Sequence, residues 1–193
     1  MNIFAQFRNM MLPVDAIHQA LPRQGRVYEV GCGRGTLARV LAEFENKRKV
    51  IGIDIDRRKI QTAQSAFKIS NLQFVEADAF VFKYQSCSGV IFSDFLHHIP
   101  YSQQIVLLKR LRHCLKQKGV LVIKEIDLGD GIRMWLSRIW DYLLYPKDRI
   151  YYRSKADWIR LVETLGFSVS CERKVRWFPG STLLYICQKN LKK

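Results

Sequence analysis

The 193-residue sequence has little that would bind a metal, form disulfides or cross a membrane. Its five cysteines are odd in number and widely spaced from Cys32 to Cys187, with no C-x-x-C pair. This usage argues for reduced thiols and predicts neither a zinc site nor a disulfide framework. No apolar run approaches the roughly 20 residues that a membrane span needs, and the first residues lack the features of a signal peptide. We therefore expect a cytoplasmic protein without a metal site.

Acidic residues are also scarce, since 17 Asp and Glu stand against 32 Lys and Arg, which leaves a formal net charge of +15. Such an excess favours an anionic partner: a nucleic acid, an anionic membrane surface or an acidic substrate. The basic residues are dispersed, however, with only short clusters at Lys47–Lys49, Arg57–Lys59 and Lys109–Arg112. Dispersed charge more often serves solubility. Nucleic acid and a peripheral membrane contact therefore stand as alternatives, and the oligomeric state is left open.

The segment Val27–Phe44, VYEVGCGRGTLARVLAEF, predicts a strand, a glycine-rich turn and an amphipathic helix. The apolar run before the turn is short and β-branched, and the apolar residues after the turn recur at helical spacing. Glycine at Gly31, Gly33 and Gly35 lets the backbone approach a ligand, and the helix directs its free N–H groups to the same place. The pattern lacks the Gly-Lys-Ser/Thr of a P-loop, and Thr36 replaces the last glycine of a dinucleotide fingerprint.

An acid, Glu29, precedes the first glycine by two residues, and a carboxylate there suits a cationic ligand better than a pyrophosphate. The resulting E-x-G-x-G-x-G pattern resembles the first motif of the class I S-adenosylmethionine-dependent methyltransferases. The resemblance implies S-adenosyl-L-methionine as cofactor, S-adenosyl-L-homocysteine as product, and an acid near the charged methionine moiety. We expect Glu29 and the turn residues Gly31, Cys32, Gly33 and Gly35 to form this part of the site.

Two further acids follow predicted strands. Asp54 ends the second strand, where adenosine-binding folds hold the ribose hydroxyls, whereas Asp56 fits the N-cap of the next helix. The third strand is followed by Asp78, which by the same resemblance faces the adenine amino group. Ile55 and Ala79 would form the apolar walls of the adenine slot.

The fourth strand lies in the string SGVIFSDFLHHIP, in which Ser93 begins the loop at the carboxyl end of the strand, where such sheets place their chemistry. The string resembles the N/S-x-L-H-H-hydrophobic-P signature of small-molecule and quinone-type methyltransferases. His97 and His98 are the candidate catalytic bases, because the ordinary pKa of histidine lies near neutrality. Asp94 is the alternative base, and Ser93 is assigned to the cofactor site.

Strands and helices alternate along the chain, so we expect one α/β methyltransferase domain over residues 1–193. The resemblance implies a doubly wound, mostly parallel seven-stranded sheet, and the segments around Pro179-Gly180 predict its C-terminal antiparallel hairpin. A short helix over Pro13–Leu21 is expected near the cofactor mouth.

Residues 129–154 form an insertion within this domain, and its apolar residues recur at helical spacing. The stripe consists of Trp135, Leu136, Ile139, Trp140, Leu143 and Leu144. It predicts a helix that packs on the sheet domain, a lid over an apolar substrate, or a membrane contact, since Arg133, Arg138, Lys147 and Arg149 flank it.

The sequence thus predicts in-line methyl transfer to a small, apolar or aromatic acceptor. Methylation of tRNA or rRNA is the alternative that the charge favours, although the fourth strand lacks the Asn/Asp-Pro-Pro-Tyr/Phe motif of amino-methylating enzymes. A non-catalytic S-adenosylmethionine-binding protein is the third interpretation, because intact binding motifs do not require turnover.

Overall fold

The computed structural model describes residues 12–129, positions 131, 135 and 139, and the ranges 149–172 and 182–190. Within these residues, strands and helices alternate. The strands are β1 (Gly25–Val30), β2 (Arg48–Asp54), β3 (Leu72–Glu76), β4 (Cys87–Ser93), β5 (Leu115–Ile126), β6 (Phe167–Glu172) and β7 (Thr182–Lys189). The α-helices are α1 (Val14–Ala20), α2 (Thr36–Phe44), α3 (Arg57–Ala66), α4 (Tyr101–Cys114) and α5 (Lys155–Thr164), and a 3₁₀ helix covers Leu96–His98.

The strands form one seven-stranded sheet in the order β3-β2-β1-β4-β5-β7-β6. Strands β1 to β5 pair in parallel, whereas β7 runs antiparallel to both β5 and β6. The predicted fold class, a mostly parallel sheet with a C-terminal antiparallel hairpin, is confirmed, while the predicted turn at Pro179-Gly180 lies outside the described residues. Because the strand order reverses between β1 and β4, a crevice opens at their carboxyl ends, where ligands bind in such sheets.

Helices cover both faces of the sheet, so the central strands are buried on both sides. On one face, Phe92 and Leu121 belong to a core that includes Trp158 of α5. On the other face, Val122 belongs to a core that includes Leu41 of α2. Neighbours along a strand enter opposite cores because side chains alternate across a sheet, which is the doubly wound arrangement that the sequence predicts.

Helix α1 lies at the amino ends of the strands and not, as the sequence suggested, at the cofactor mouth. Arg48, the first residue of β2, is fully buried, and its guanidinium donates to the carbonyl oxygens of Pro22 at 3.0 Å and Leu41 at 3.2 Å. The ring of His18 packs 4.5 Å from that of Phe44, the last residue of α2. These contacts hold the end of α1 at the amino ends of the strands, whereas the glycine turn lies at their carboxyl ends.

The predicted insertion at 129–154 is described only in part. Trp135 and Ile139 are helical and exposed, with 59% and 38% of their surfaces accessible. The other residues of the apolar stripe lie outside the described residues, so the packed helix, the lid and the membrane contact all stay predictions. Among the described residues, no helix has both the length and the apolar character to cross a membrane.

Candidate active site

The glycine turn after β1 is held against the end of β2, since the amides of Gly31 and Cys32 both donate to the carbonyl of Ile53, at 2.8 and 3.0 Å. The glycines at 31, 33 and 35 have φ of 75°, 56° and 75°, a region that disfavours side chains. Their surroundings differ. A Cβ at Gly31 would lie 2.2 Å from the Phe95 ring, and one at Gly35 would lie 2.3 Å from another ring, whereas one at Gly33 would meet nothing within 4 Å. Two glycines therefore permit close packing, and Gly33 alone faces open space.

Asp54, the last residue of β2, stabilises this turn through hydrogen bonds to backbone amides. One carboxylate oxygen accepts the amide of Gly33 at 2.7 Å, and the other accepts the amide of Asp56 at 2.9 Å. Asp56 in turn caps α3, as predicted, by accepting the amides of Arg58 and Lys59. The sequence pointed to Asp54 as a ribose acceptor, and the structure adds that its carboxylate also fixes the conformation of the open turn.

A cavity of about 490 Å³ opens beside the turn at the carboxyl ends of the parallel strands. Of the predicted cofactor residues, Gly31, Asp54, Ile55, Asp78 and Ala79 line it. Ile55 is 71% exposed, so one wall of the cavity is open to solvent. The remaining lining residues are Ile53, Ala77, Phe80, Phe95, Ile99 and Gln103.

The acid that follows β3, Asp78, is held by the loop that it begins. Its carboxylate accepts the amide of Phe80 at 2.8 Å, and its backbone carbonyl accepts the amide of Phe82 at 3.0 Å. These bonds close a tight turn at the cavity wall. The turn places Asp78, Ala79 and Phe80 in the lining of the cavity.

The other predicted cofactor residues lie outside this lining. Glu29 is buried within β1, where it pairs with Gly52 of β2 and Ile91 of β4. Cys32 is also buried, and burial, together with the nearby carboxylates of Glu29 and Asp54, raises the pKa of its thiol. Cys32 is therefore a neutral packing group. Ser93 ends β4, Gly35 is the N-cap residue of α2, and Gly33 also lies outside the lining.

The two candidate bases occupy different environments in the loop after β4. His97 is 2% exposed, and its Nδ1 lies 2.5 Å from a carboxylate oxygen of Glu125, which is itself buried. His98 is half-buried, with its ring 4.2 Å from that of His97. The other oxygen of Glu125 accepts the amides of Phe95 at 3.1 Å and Leu96 at 2.7 Å. Glu125 thus holds the loop that carries both histidines, a role that the sequence analysis missed.

Asp94, the alternative base, is engaged by a cation. Both of its carboxylate oxygens accept from the buried ammonium of Lys124, at 2.7 and 2.5 Å, and its backbone has φ of 53°. An ion pair of this geometry stabilises the ionised carboxylate. Proton abstraction by Asp94 would break that pair, which makes it a poorer base than a histidine. Among the described residues, no cluster of metal-ligating side chains is present.

A family model described as a methyltransferase domain matches residues 4–172. The chain belongs to this family. It is a class I S-adenosylmethionine-dependent methyltransferase, and the order and directions of its seven strands are those of that class.

Curated relatives of this methyltransferase include carboxy-S-adenosyl-L-methionine synthases. The protein from Psychrobacter arcticus is 26% identical over 130 residues, which cover 60% of this chain and 49% of that protein. The protein from Nautilia profundicola is 22% identical over 146 residues, which cover 74% of this chain and 62% of that protein. The methyltransferase therefore spans about half the length of the first of these relatives and under two thirds of the second.

Solved structures share the fold over nearly the whole methyltransferase. Magnesium protoporphyrin IX methyltransferase from Synechocystis, with bound S-adenosylhomocysteine, is 20% identical with a TM-score of 0.76, covering 98% of this chain and 89% of its own. A methyltransferase from Methanosarcina mazei is 17% identical with a TM-score of 0.72, and the match covers 94% of this chain and 99% of that one. Human N-acetylserotonin methyltransferase is 18% identical with a TM-score of 0.75, and the match covers 93% of this chain and 52% of that one. These likenesses establish the fold.

Proposed function

We propose that this methyltransferase binds S-adenosylmethionine in the cavity beside the glycine turn and methylates a small, apolar or aromatic acceptor. The observation that carries the cofactor site is the contrast among the glycines. Of the three glycines in the turn, Gly33 is the one with space for a Cβ, and its amide is held by the cavity residue Asp54. A backbone turn that is fixed and yet uncovered fits a ligand that packs against it.

The cavity lining matches the two ends of an adenosine group. The carboxylate of Asp54 at the tip of β2 would accept from the ribose hydroxyls, as acids at this position do in related folds. The carboxylate of Asp78 would accept from the adenine amino group, while Ile55 and Ala79 provide apolar surface for the base. Glu29, buried next to the turn, adds negative charge near the cationic end of the ligand.

When bound, S-adenosylmethionine supplies a methyl group on a sulfonium, which is an activated leaving group. The chain's own residues then have to bind the acceptor, orient it in line and exclude water. Such positioning can be worth roughly 7–11 kcal/mol of the barrier. A base that removes the acceptor proton would add about 10²–10⁴-fold. Of the two histidines, we favour His98 as that base, because His97 is enclosed and bonded to Glu125.

Aromatic groups surround the loop that follows β4, which supports a small aromatic acceptor. The Tyr152 ring stacks 5.3 Å from that of His97, and the rings of Tyr101 and Tyr151 meet edge to face at 5.5 Å. Phe95 of the same loop lines the cavity. Two proteins of the same fold are named for methylation of magnesium protoporphyrin IX and N-acetylserotonin, both small molecules.

Calorimetry tests the cofactor part of the proposal. S-adenosylmethionine and S-adenosylhomocysteine should both bind to the purified protein, and NAD, the control, should not. Failure of both nucleosides to bind would refute the cavity as a cofactor site.

A methyl-transfer screen tests the acceptor. The protein is incubated with labelled S-adenosylmethionine and either a panel of small aromatic compounds or total tRNA and rRNA, since the net charge of +15 favours RNA as the second candidate. Label in a small aromatic compound supports the proposal, and label in RNA alone refutes it. Mass spectrometry of the nucleoside fraction detects a carboxylated S-adenosylmethionine, the product named for the curated relatives.

A further inference from the structure

A fully buried glutamine in α4, Gln104, connects two separate parts of the chain. Its amide nitrogen lies 3.0 Å from the carbonyl oxygens of Leu96 and Ile99, in the loop after β4. The same nitrogen lies 3.2 Å from the carbonyl of Tyr151, and the amide oxygen accepts from Arg153 Nε at 2.7 Å. One side chain is therefore bonded both to this loop and to the segment 151–153, which ends the predicted insertion.

The loop that Gln104 holds forms part of the cavity wall. Phe95 and Ile99 line the cavity, and so does Gln103, the neighbour of Gln104 on α4. Gln104 itself does not line the cavity and contacts the wall from behind. Because a buried polar group that loses its hydrogen-bond partner is not solvated in exchange, displacement of either connected part is costly.

The segment 151–153 has further contacts with the same loop and with the start of α4. The amide of Tyr151 donates to the carbonyl of His97 at 2.7 Å, and the hydroxyl of Tyr101 donates to the carbonyl of Tyr152 at 2.7 Å. The guanidinium of Arg153 lies 4.7 Å from the centre of the Tyr101 ring. The segment and the cavity wall thus pack as one unit, with the amide of Gln104 at its centre.

We infer that Gln104 is a positioning residue that couples the cofactor cavity energetically to the segment 151–153. A ligand that orders Phe95 and Ile99 also orders the carbonyl of Ile99. Because the side-chain amide of Gln104 bonds both that carbonyl and the carbonyl of Tyr151, the same ligand orders Tyr151. By linkage, if bound cofactor strengthens the contacts of the segment with an acceptor by some factor, the acceptor strengthens cofactor binding by the same factor. The inference rests on the proposed cofactor site, because the ligand that fills the cavity is the one proposed above.

Hydrogen–deuterium exchange tests this coupling on the wild-type protein and two variants, each with and without S-adenosylhomocysteine. Gln104→Leu removes the amide at similar size. Gln64→Leu is the control for loss of a glutamine amide elsewhere, because Gln64, an exposed residue, donates to the backbone carbonyl of Phe74 at 3.0 Å on the other side of the sheet from Gln104. We expect the ligand to slow exchange in peptides covering residues 149–154 of the wild-type and control proteins. In Gln104→Leu this ligand-induced protection should fall about two- to tenfold, the effect of one lost buried hydrogen bond.

The outcomes separate the coupling from the cofactor site. Equal protection of 149–154 in Gln104→Leu, with the ligand bound, would overturn the coupling and leave the cofactor site intact. Absence of binding to the wild-type protein would overturn both. If Gln104→Leu does not fold, Arg153→Lys decides, because it removes the Nε donor of Arg153 and keeps its charge. Ligand-induced protection that is unchanged in Arg153→Lys would then refute the inference.

Discussion

Asp54→Ala is expected to weaken cofactor binding without unfolding the protein. The carboxylate of Asp54 accepts two backbone amides, from Gly33 at 2.7 Å and Asp56 at 2.9 Å, and lines the cavity. The substitution removes the proposed ribose acceptor and also releases the turn at Gly33. A hydrogen bond to a charged group contributes about 1.5–3 kcal/mol. Since water replaces part of that energy at a half-buried site, we expect binding to weaken by roughly 1–3 kcal/mol, about 5- to 150-fold in Kd.

The neighbouring acid provides a matched control. Asp56 also accepts two backbone amides, from Arg58 at 2.9 Å and Lys59 at 3.2 Å, but it does not line the cavity. Asp56→Ala should therefore lower the urea midpoint of unfolding and leave the Kd for S-adenosylhomocysteine unchanged. Asp54→Asn, which keeps one carbonyl oxygen for the amide of Gly33, should bind with intermediate affinity.

Isothermal titration with S-adenosylhomocysteine, with circular dichroism to confirm folding, measures all three variants. Wild-type affinity in a folded Asp54→Ala protein would remove Asp54 from the cofactor site. Equal losses of affinity in Asp54→Ala and Asp56→Ala would show that helix capping, rather than contact with the cavity, governs binding.

Three further changes test other parts of the structure. Gly33→Val should abolish binding of S-adenosylhomocysteine, because its side chain would fill the open space at the turn, and near-wild-type titration would contradict the proposed cradle. The amide of Lys59 lowers the pKa of Asp56, so this group adds stability that is present above its unfolded pKa, about 3.9, and is lost as pH falls through the folded value. Asp56→Asn should therefore reduce the acid sensitivity of urea unfolding, and an unaltered pH profile would argue against the cap. Burial raises the pKa of Cys87 to about 12, so its neutral thiol should react with a disulfide reagent only as fast as the protein unfolds, and labelling faster than unfolding would contradict the packing.

The fold was predictable because its signals are local. Hydrophobic periodicity located the strands and helices to within a few residues, and the chain order of strands and helices indicated a doubly wound sheet. The start of β5 has no such local signal. Its pairing with β4 begins at Leu115 and jumps to Val120 across an irregular stretch in which Lys118 has φ of 59°. Such a bulge depends on the partner strand, which a single sequence does not display.

The candidate site was predictable where its residues follow strands. Asp54 was predicted from its place at a strand tip and Asp78 from the family resemblance, and the structure places both in the cavity lining, while their contacts with a cofactor stay predictions. Glu125 and Gln104 could not be predicted, because their partners come from the loop after β4 and from segment 151–153, which only the folded chain brings together. One local signal was available for Glu125. An acid in the strand VLVIKEI, which is apolar apart from Lys124 and Glu125, is rarely buried without a specific partner.

The position of β7 in the sheet affects the order in which the chain can fold during synthesis. Strand β7 (Thr182–Lys189) lies between β5 and β6, so β5 has one unpaired edge until residues 182–189 leave the ribosome. Strand β6, made earlier, cannot take that place without changing the pairing of the sheet. The five parallel strands can therefore associate while an apolar edge beside Ile123 is still open. Exposed edges of this kind are where nascent chains aggregate or recruit chaperones. Closure of the β5 edge thus depends on β7, which is made after the five parallel strands.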